Sequence, residues 1–265
     1  MKLLGIHRET LYSPDRENDD ATILRLTAEA LQAKGFDVEV KRVEEIRQSD
    51  LNHPLFAMCE GAQGVALLKQ TEDRGHRVVN KAQAVLNCHR WRMWPLLQQR
   101  GVPLPSTLIL QTPKLNGAIL PSKRLWIKRG DVHNTQEGED VVYVDTDQRV
   151  QETLQNMSKR GIEKALVQEH VEGDLIKFYG VIGSDWFKWF YHNGVSRGIP
   201  LDNHKLYAIT HQAAEAMGLE VYGGDVIVAP DRMVLIDINS WPSFALCRDE
   251  ASQQIANYLQ RRFKS

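Results

Sequence analysis

The sequence predicts a mixed α/β protein that begins with a small layered domain built on a parallel sheet. Short apolar runs alternate with amphipathic helical patterns over roughly the first eighty residues, an order typical of parallel sheets covered by helices. Beyond about residue 165, several β-rich runs follow one another. The stretch GGDVIVAPDRMVLIDINSWPSF, residues 223–244, predicts two short strands joined by a turn at Pro230 to Arg232.

Length and composition are those of an ordinary globular protein. The 265 residues can bury a sizeable core, either as one large domain or as two to three small ones. Lys and Arg total 33 against 34 Asp and Glu, so the bulk charge indicates neither a nucleic-acid nor a membrane partner. The three cysteines lie far apart without a CxxC pair, which predicts reduced thiols in a cytoplasmic protein. No apolar run has the length of a signal peptide or of a membrane helix.

The first 81 residues carry the predicted parallel sheet. Apolar runs predict its four strands at residues 2–7, 36–40, 55–58 and 77–80. Helical spacing predicts one helix over residues 23–34 and another from residue 64, ended by Gly35 and Gly75. Ligands gather at the carboxyl ends of parallel strands, where this chain has His7, Arg8, Glu60 and Asn80. These polar residues either contact a substrate or are solvated loop residues.

The remaining elements follow the same kinds of signal. A helix is predicted over residues 82–100, with Pro95 able to kink or split it and Gly101 to close it. Strands are predicted at residues 125–128, 141–144, 165–171, 175–183 and 186–191. Helices are predicted at residues 149–160, 203–217 and 249–263.

The hairpin near the end of the chain predicts a site for a hard cation. Asp237 and Asn239 point to the same side of one strand, because residues i and i+2 do so, and Asp225 can lie beside them on the neighbouring strand. Two carboxylates and one amide oxygen suit Mg²⁺, which takes one or two carboxylates together with substrate phosphates. A β-hairpin with polar ends is the alternative interpretation of the same residues.

An acidic residue in a GxD strand, a hairpin, and then D-x-N with a following Pro resembles the C-terminal metal signature of the ATP-grasp superfamily. Its members include glutathione synthetase, D-alanine–D-alanine ligase, the ribosomal-protein glutamate ligase and inositol polyphosphate kinases. The resemblance implies that Asp225, Asp237 and Asn239 hold Mg²⁺, or in its place Mn²⁺, against the phosphates of ATP. It implies a pre-ATP-grasp domain at residues 1–81, a central lobe at 82–170 and a C-terminal lobe with the metal site at 171–265, with the nucleotide between two sheets. Where many members have Pro-Gly after the Asn, this chain has SWPSF, so the turn that meets the acceptor differs.

The resemblance also covers residues that contact the phosphates. By spacing from Gly101, the position of the first phosphate-binding Lys of the family is held by Arg90, with Lys81 as an offset alternative. Lys128 ends a strand where the family has its second phosphate-binding Lys. The family's Gly- and Ser-rich flap corresponds to residues 130–138, which are polar here and include His133, a candidate contact to phosphate or acceptor or a solvated loop residue.

For the base and the sugar of ATP, the resemblance points to the segment after the predicted strand at 165. Gln168, Glu169 and Val171 hold the positions that bind adenine in the family, and Asp174 holds the one near the ribose. The chemistry suits the base, since its amino group needs acceptors and its ring nitrogen needs a donor.

The function that the resemblance implies is an ATP-dependent carboxylate–amine ligase. ATP would phosphorylate a carboxylate, an amine would displace the phosphate, and Lys177 and Arg197 would stabilise the acyl phosphate. The alternative within the superfamily is a small-molecule kinase. Its basic acceptor pocket could draw on His7, Arg8, His133, Lys177, Lys188, Arg197 and Arg248. A second alternative is an ATP-binding regulator without turnover. The expected partners are a small-molecule or peptide acceptor and further copies of the chain.

Overall fold

The structure is a computed structural model that describes residues 1–114, 119–132, 135 and 139–264. Over these residues the chain forms three four-stranded sheets and seven α-helices. The predicted mixed α/β class, with a parallel sheet first and two further sheets after it, is confirmed. None of the described helices is long and apolar enough to cross a membrane.

The N-terminal sheet is parallel and is covered on both faces. Its strands are β1 (Lys2–Ile6), β2 (Asp37–Lys41), β3 (Leu55–Ala57) and β4 (Val78–Val79), in the order β2-β1-β3-β4. Helix α1 (Glu17–Ala33) follows β1, and helix α2 (Ala62–Asp73) follows β3. Leu3 packs with residues of α1, whereas Leu4 packs with residues of α2 on the opposite face. A strand buried on both faces is a continuous apolar run rather than an alternating one, which explains the LLGI of β1.

The second sheet is antiparallel. Its strands are β5 (Thr107–Gln111), β6 (Leu125–Arg129), β7 (Val141–Val144) and β8 (Lys164–Glu169), in the order β5-β8-β6-β7. Helix α5 (Asp147–Lys159) covers one face, with Leu154 packed against Leu125 and Ile127. Because alternate residues of a strand face opposite sides, Trp126 and Lys128 point away from α5.

The third sheet is also antiparallel and contains the predicted hairpin. Its strands are β9 (Asp174–Val181), β10 (Phe187–Tyr191), β11 (Val221–Val228) and β12 (Met233–Ser240), in the order β10-β9-β11-β12. Helix α6 (Asn203–Met217) packs on one face and ends at Gly218, whose φ of 73° is one that glycine adopts readily. The last helix, α7 (Arg248–Lys264), packs against α1 and so joins the third sheet to the N-terminal domain.

The prediction of a single helix over residues 82–100, which Pro95 could kink or split, is wrong. The structure has two helices, α3 (Ala82–Asn87) and α4 (Arg90–Gln99), and Pro95 lies inside the second. The break falls at His89, whose ψ of 121° is extended, and the freed N–H of Trp91 donates to the Gly130 carbonyl at 2.9 Å. This break makes Arg90 the first residue of α4.

Candidate active site

The three predicted metal ligands lie together near the middle of the β11–β12 hairpin. Asp225 and Asp237 are directly opposite each other in the register of the two strands, and Asn239 follows two residues after Asp237. We refer to Asp225, Asp237 and Asn239 as the metal-site trio. The strand positions therefore bring the three side chains together as the sequence predicts.

A β-bulge in β12 orients this part of the hairpin. The register shifts between Asp225 and Val226, so that Ile236 has no partner opposite it. Leu235 and Ile238 both pack in the core under α6, although residues three apart would face opposite sides of a regular strand. The bulge thus keeps both apolar residues in the core and leaves Ile236 to pack on the other face.

Gly224 lets the two strands approach closely beside the metal-site trio. A Cβ atom at this position would lie 2.2 Å from the backbone oxygen of Asp237, a distance that no side chain tolerates. The sequence GGD is therefore a steric requirement of the site as well as a motif.

The trio has the chemical character of a site that binds a cation. The Oδ1 atom of Asn239 is buried and makes no hydrogen bond to the described residues, a state that is costly unless something satisfies the oxygen. Burial raises the pKa of Asp225, and the nearby Asp237 carboxylate adds to that effect. Both features fit Mg²⁺, which would neutralise the two carboxylates, bind the amide oxygen and take its other ligands from phosphates and water. No group of three or more His, Cys, Asp or Glu side chains in the described residues could hold a metal, which leaves this mixed set as the candidate.

Three cations from three different elements surround the trio. The Arg90 guanidinium, 1% exposed, donates from Nη2 to the Asp237 carboxylate at 3.0 Å. Lys177 Nζ donates to Asp225 at 3.2 Å, and Lys128 Nζ donates to the carbonyl of Ile236 at 3.0 Å. We refer to Arg90, Lys128 and Lys177 as the three cations. Positive groups that converge beside a candidate cation site are what a triphosphate requires.

Lys128 should make nucleotide binding depend on pH. Burial lowers its pKa to about 8, against the opposing effect of the Asp237 carboxylate. Below that pH the ammonium can bind phosphate, and above it the amine is neutral. We therefore expect ATP affinity to fall as the pH rises through about 8. Lys128→Arg should keep its affinity to higher pH, because a guanidinium remains protonated. Titrations of both proteins with ATP across this range test the expectation, and parallel profiles would contradict it.

The predicted adenine segment crosses from the second sheet to the third. The Glu169 carboxylate accepts from the backbone N–H of Ser106 at 2.9 Å and pairs with Arg232, which lies between β11 and β12, at 3.1 Å. Gln168 is buried and donates to the Thr107 hydroxyl at 3.4 Å. The backbone N–H of Val171 makes no hydrogen bond to the described residues, so it can donate to a bound base. Of this segment, the backbone at Val171 is better suited to adenine than the engaged Glu169 side chain.

Asp174 and Arg197 lie together, away from their predicted roles. Both carboxylate oxygens of Asp174 are bound within the protein, to the Arg197 backbone N–H at 2.7 Å and to the Ser196 hydroxyl at 3.0 Å. The Arg197 guanidinium pairs with Glu172 at 2.8 Å, and this pairing contributes most to lowering the Glu172 pKa to about 2. Asp174 thus holds the loop after β10, and its place near the ribose stays a prediction. Of the two predicted catalytic cations, Lys177 contacts the trio and Arg197 contacts Glu172.

An aromatic cluster that the sequence reasoning missed lies on the face of the second sheet opposite α5. The rings of Trp126 and Tyr143 are 5.4 Å apart, and those of Tyr143 and His170 are 5.5 Å apart. Trp126 donates from Nε1 to His170 Nδ1 at 3.0 Å, so the imidazole proton is on Nε2, 3.1 Å from Glu172. The sequence offered one signal for this cluster: Trp126 and Lys128 are two residues apart in a predicted strand and therefore lie on the same face.

A cavity of about 500 Å³ opens beside the trio, between the N-terminal domain and the third sheet. Asp225 and Asn239 line it from the third sheet, and the loop between β1 and α1 lines it from the N-terminal domain. Of the seven residues considered for the basic pocket of a kinase, Arg8 and Lys177 line this cavity. His133 lies outside the described residues, and His7, Lys188, Arg197 and Arg248 do not border the cavity.

Arg8 ties the two walls of this cavity together. Its guanidinium donates to the carbonyls of Trp241 at 2.8 Å and Ser240 at 3.3 Å, both just after the metal-site trio. The same group pairs with Asp20 at 3.1 Å and with Glu60, both in the N-terminal domain. The sequence turn SWPSF is therefore held by a buried cation from the first domain, a contact that no local pattern predicts.

Comparison with known proteins gives relatives in sequence and in fold. No family profile matches the chain. It is 24% identical over 221 residues to a protein named probable alpha-L-glutamate ligase from Haemophilus influenzae (strain PittEE), which covers 77% of this chain and 72% of that protein. A protein of the same name from strain ATCC 51907 / DSM 11121 / KW20 / Rd is 24% identical over 223 residues, with the same coverage.

Solved structures extend the likeness over nearly the whole chain. A RimK domain ATP-grasp protein from Sphaerobacter thermophilus DSM 20745 superposes with a TM-score of 0.73 at 17% identity, covering 97% of this chain and 99% of that one. D-alanyl-alanine synthetase A from Vibrio cholerae O1 biovar eltor str. N16961 gives 0.75 at 10% identity, with 98% and 96% covered. D-alanine–D-alanine ligase from Bacillus anthracis, complexed with ATP, gives 0.71 at 12% identity, with 98% and 99% covered. At these identities the likeness is one of fold.

Proposed function

We propose, on the premise that its fold is that of ATP-grasp proteins, that this chain is an ATP-dependent carboxylate–amine ligase. The observation that carries the proposal is the metal-site trio, with its buried amide oxygen, surrounded by the three cations. Fold does not determine reaction, so the site itself has to supply the argument. A cation site beside phosphate-binding groups at the edge of a cavity is the arrangement that ATP-driven activation of an acid needs.

The names of the similar proteins support a ligase. The sequence relatives are named as probable glutamate ligases, and two of the structural neighbours are named as enzymes that join D-alanine. A kinase would instead need a strongly basic acceptor pocket, and the residues considered for one are mostly engaged elsewhere. Lys188 pairs with Glu250, Arg197 with Glu172, and Arg248 with Asp19. We therefore favour the ligase over phosphoryl transfer to a hydroxyl.

The proposed reaction has two transfers. A carboxylate oxygen of the acid attacks the γ-phosphorus of ATP, the bond from that phosphorus to the β–γ bridging oxygen breaks, and ADP leaves. The amine nitrogen then attacks the acyl carbon, the bond from that carbon to the phosphate oxygen breaks, and the departing phosphate takes the proton that the nitrogen loses. The products are an amide, ADP and phosphate.

The residues of the chain divide this work. Asp225, Asp237 and Asn239 would hold Mg²⁺, whose chemistry here is to neutralise charge on the β- and γ-phosphates. Arg90, in α4, and Lys128, in the second sheet, bind phosphate oxygens. Lys177, which contacts Asp225 and lines the cavity with it, stabilises the negative charge that develops as the acyl phosphate forms and breaks down.

A hydroxylamine trap tests this proposal. The purified protein is incubated with ATP, MgCl₂, hydroxylamine and a panel of carboxylic acids, and ADP, free phosphate and hydroxamate are measured. Hydroxylamine is an amine that attacks acyl phosphates, so a ligase gives all three products in equal amounts. ADP with a phosphorylated metabolite and no free phosphate would establish a kinase instead. No ADP with any acid would contradict the proposal and favour a regulator that binds ATP without turnover.

A further inference from the structure

We infer that the acid substrate is a dicarboxylic acid, and that Arg16, which lines the cavity, recognises its second carboxylate. This inference rests on the proposed function and specifies the class of acid on which the site acts. It assigns a specificity-determining role to a residue outside the metal-site trio and the three cations.

Arg16 borders the cavity on the wall opposite Lys177. It is the residue immediately before α1, and it lines the cavity from the N-terminal domain. Lys177 and Tyr179 line the cavity from β9, beside Asp225. Tyr179 and Arg16 both line this cavity, so the guanidinium and the tyrosine ring face the same space. The lining of the cavity therefore includes Lys177, which lies beside the trio, and Arg16, which comes from the N-terminal domain.

The other arginine of the cavity is already satisfied by the protein. The Arg8 guanidinium binds two backbone carbonyls and pairs with two carboxylates, Asp20 and Glu60. Asp20 is engaged in turn, because it also accepts from the Ser13 hydroxyl at 2.6 Å. Arg8 therefore has no capacity to bind a substrate anion, and Asp20 has little to bind a substrate ammonium group.

Arg16 differs from Arg8 in exposure and in charge balance. Its side chain is 58% exposed and pairs with Asp19 at 3.0 Å, an exposed contact of the kind that holds a guanidinium weakly. The other oxygen of Asp19 is bound by Arg248 at 2.6 Å. Asp19 is thus shared between two guanidinium groups, whereas Arg8 has two carboxylates of its own. Asp15 and Glu17 flank Arg16 in the sequence, but neither lines the cavity.

The cavity can thus hold two different carboxylates, one beside Lys177 and one beside Arg16. The carboxylate that reacts would bind beside the trio. Lys177 could donate to it there, because a metal ion bound to Asp225 would replace the hydrogen bond between Lys177 and Asp225. The second carboxylate belongs at Arg16, whose planar guanidinium can bind both of its oxygens. An acid with an amide or a methyl group in place of the second carboxylate would form no ion pair with Arg16, whose charge would then be solvated by water alone. The cavity of about 500 Å³ has room for such an acid.

The test uses acids supplied in pairs that differ only at the second carboxylate. The pairs are glutamate and glutamine, aspartate and asparagine, glutarate and its monoamide, and dipeptides that end in glutamate or glutamine. Hydroxamate formation with Mg-ATP is measured for wild type, Arg16→Gln and Arg16→Lys. We expect wild type to prefer the dicarboxylic member of a pair. Arg16→Gln should lower kcat/KM for that member by about 10- to 100-fold, the range for losing a charged hydrogen bond, without affecting the amide. Arg16→Lys should retain part of the preference.

Arg25→Gln is the matched control. Arg25 lies in α1, which Arg16 immediately precedes, and has the same side-chain exposure of 58% as Arg16. It pairs with Glu29 at 2.6 Å, but it does not line this cavity. If wild type uses both members of a pair equally, or if Arg16→Gln behaves like Arg25→Gln, the inference is overturned while the ligase proposal stands. If no acid gives hydroxamate, the proposed function fails and the inference fails with it.

Discussion

Asp237→Asn is expected to lower kcat by about 100- to 1000-fold, the range for losing one preorganised electrostatic contact to developing charge. Asp237 would bind the metal ion, and it also anchors the buried Arg90 at 3.0 Å. The asparagine keeps the shape of the side chain but removes the charge that both groups need. The measurement is ADP formation at saturating ATP and MgCl₂.

Asp231→Asn provides the control for this change. Asp231 is exposed and lies between β11 and β12, outside the trio. The same substitution there tests whether loss of any carboxylate in the hairpin has an effect. Equal activities of the two variants would contradict the assignment of Asp237 to the metal site.

Arg8→Met is expected to lower the free energy of unfolding by about 3–5 kcal/mol, the cost of removing one partner from a buried ion pair. The substitution leaves Asp20 and Glu60 without the cation that balances them, and it frees the carbonyls of Ser240 and Trp241 at the end of β12. Denaturant unfolding measures the change. Arg16→Met is the comparison, because an exposed pair contributes only about 0–1 kcal/mol. Similar losses in the two variants would show that Arg8 does not hold the cavity walls together.

Local sequence patterns predict most of the fold. The GGD strand, the Pro-Asp-Arg turn and the D-x-N strand specify the hairpin, and the structure forms it with Asp225 opposite Asp237. Gly218 and Gly35 end helices where expected, since their positive φ angles of 73° and 85° suit glycine. The break between α3 and α4 is not encoded in this way. It depends on a contact between Trp91 and Gly130, which are distant in sequence.

The same distinction applies to the site. The metal-site trio and Lys128 follow from strand alternation and from a family resemblance, and they lie together in the structure. The roles of Asp174 and Arg197 in ATP binding and catalysis remain predictions that their contacts do not favour. Arg8 and Arg16 could not be assigned from sequence, because one is defined by carbonyls more than two hundred residues away and the other by the wall of a cavity.

The domain boundaries at residues 81 and 170 remain predictions. The second of them falls between β8 and β9, where Glu169 and Glu172 bridge the two antiparallel sheets through Arg232 and Arg197. Local sequence patterns do not predict such ion pairs across a boundary, because each pair joins segments that are distant in the sequence.

The most direct test is the effect of Mg²⁺ on ATP affinity in wild type and in Asn239→Leu. The buried Oδ1 atom of Asn239 makes no hydrogen bond to the described residues, so a leucine of similar size should not lower the free energy of unfolding. We predict that Mg²⁺ tightens ATP binding to wild type and fails to do so in Asn239→Leu, although the variant is as stable as wild type. Equal ATP affinity of wild type with and without Mg²⁺ would contradict the central claim that this hairpin holds a metal ion for the nucleotide.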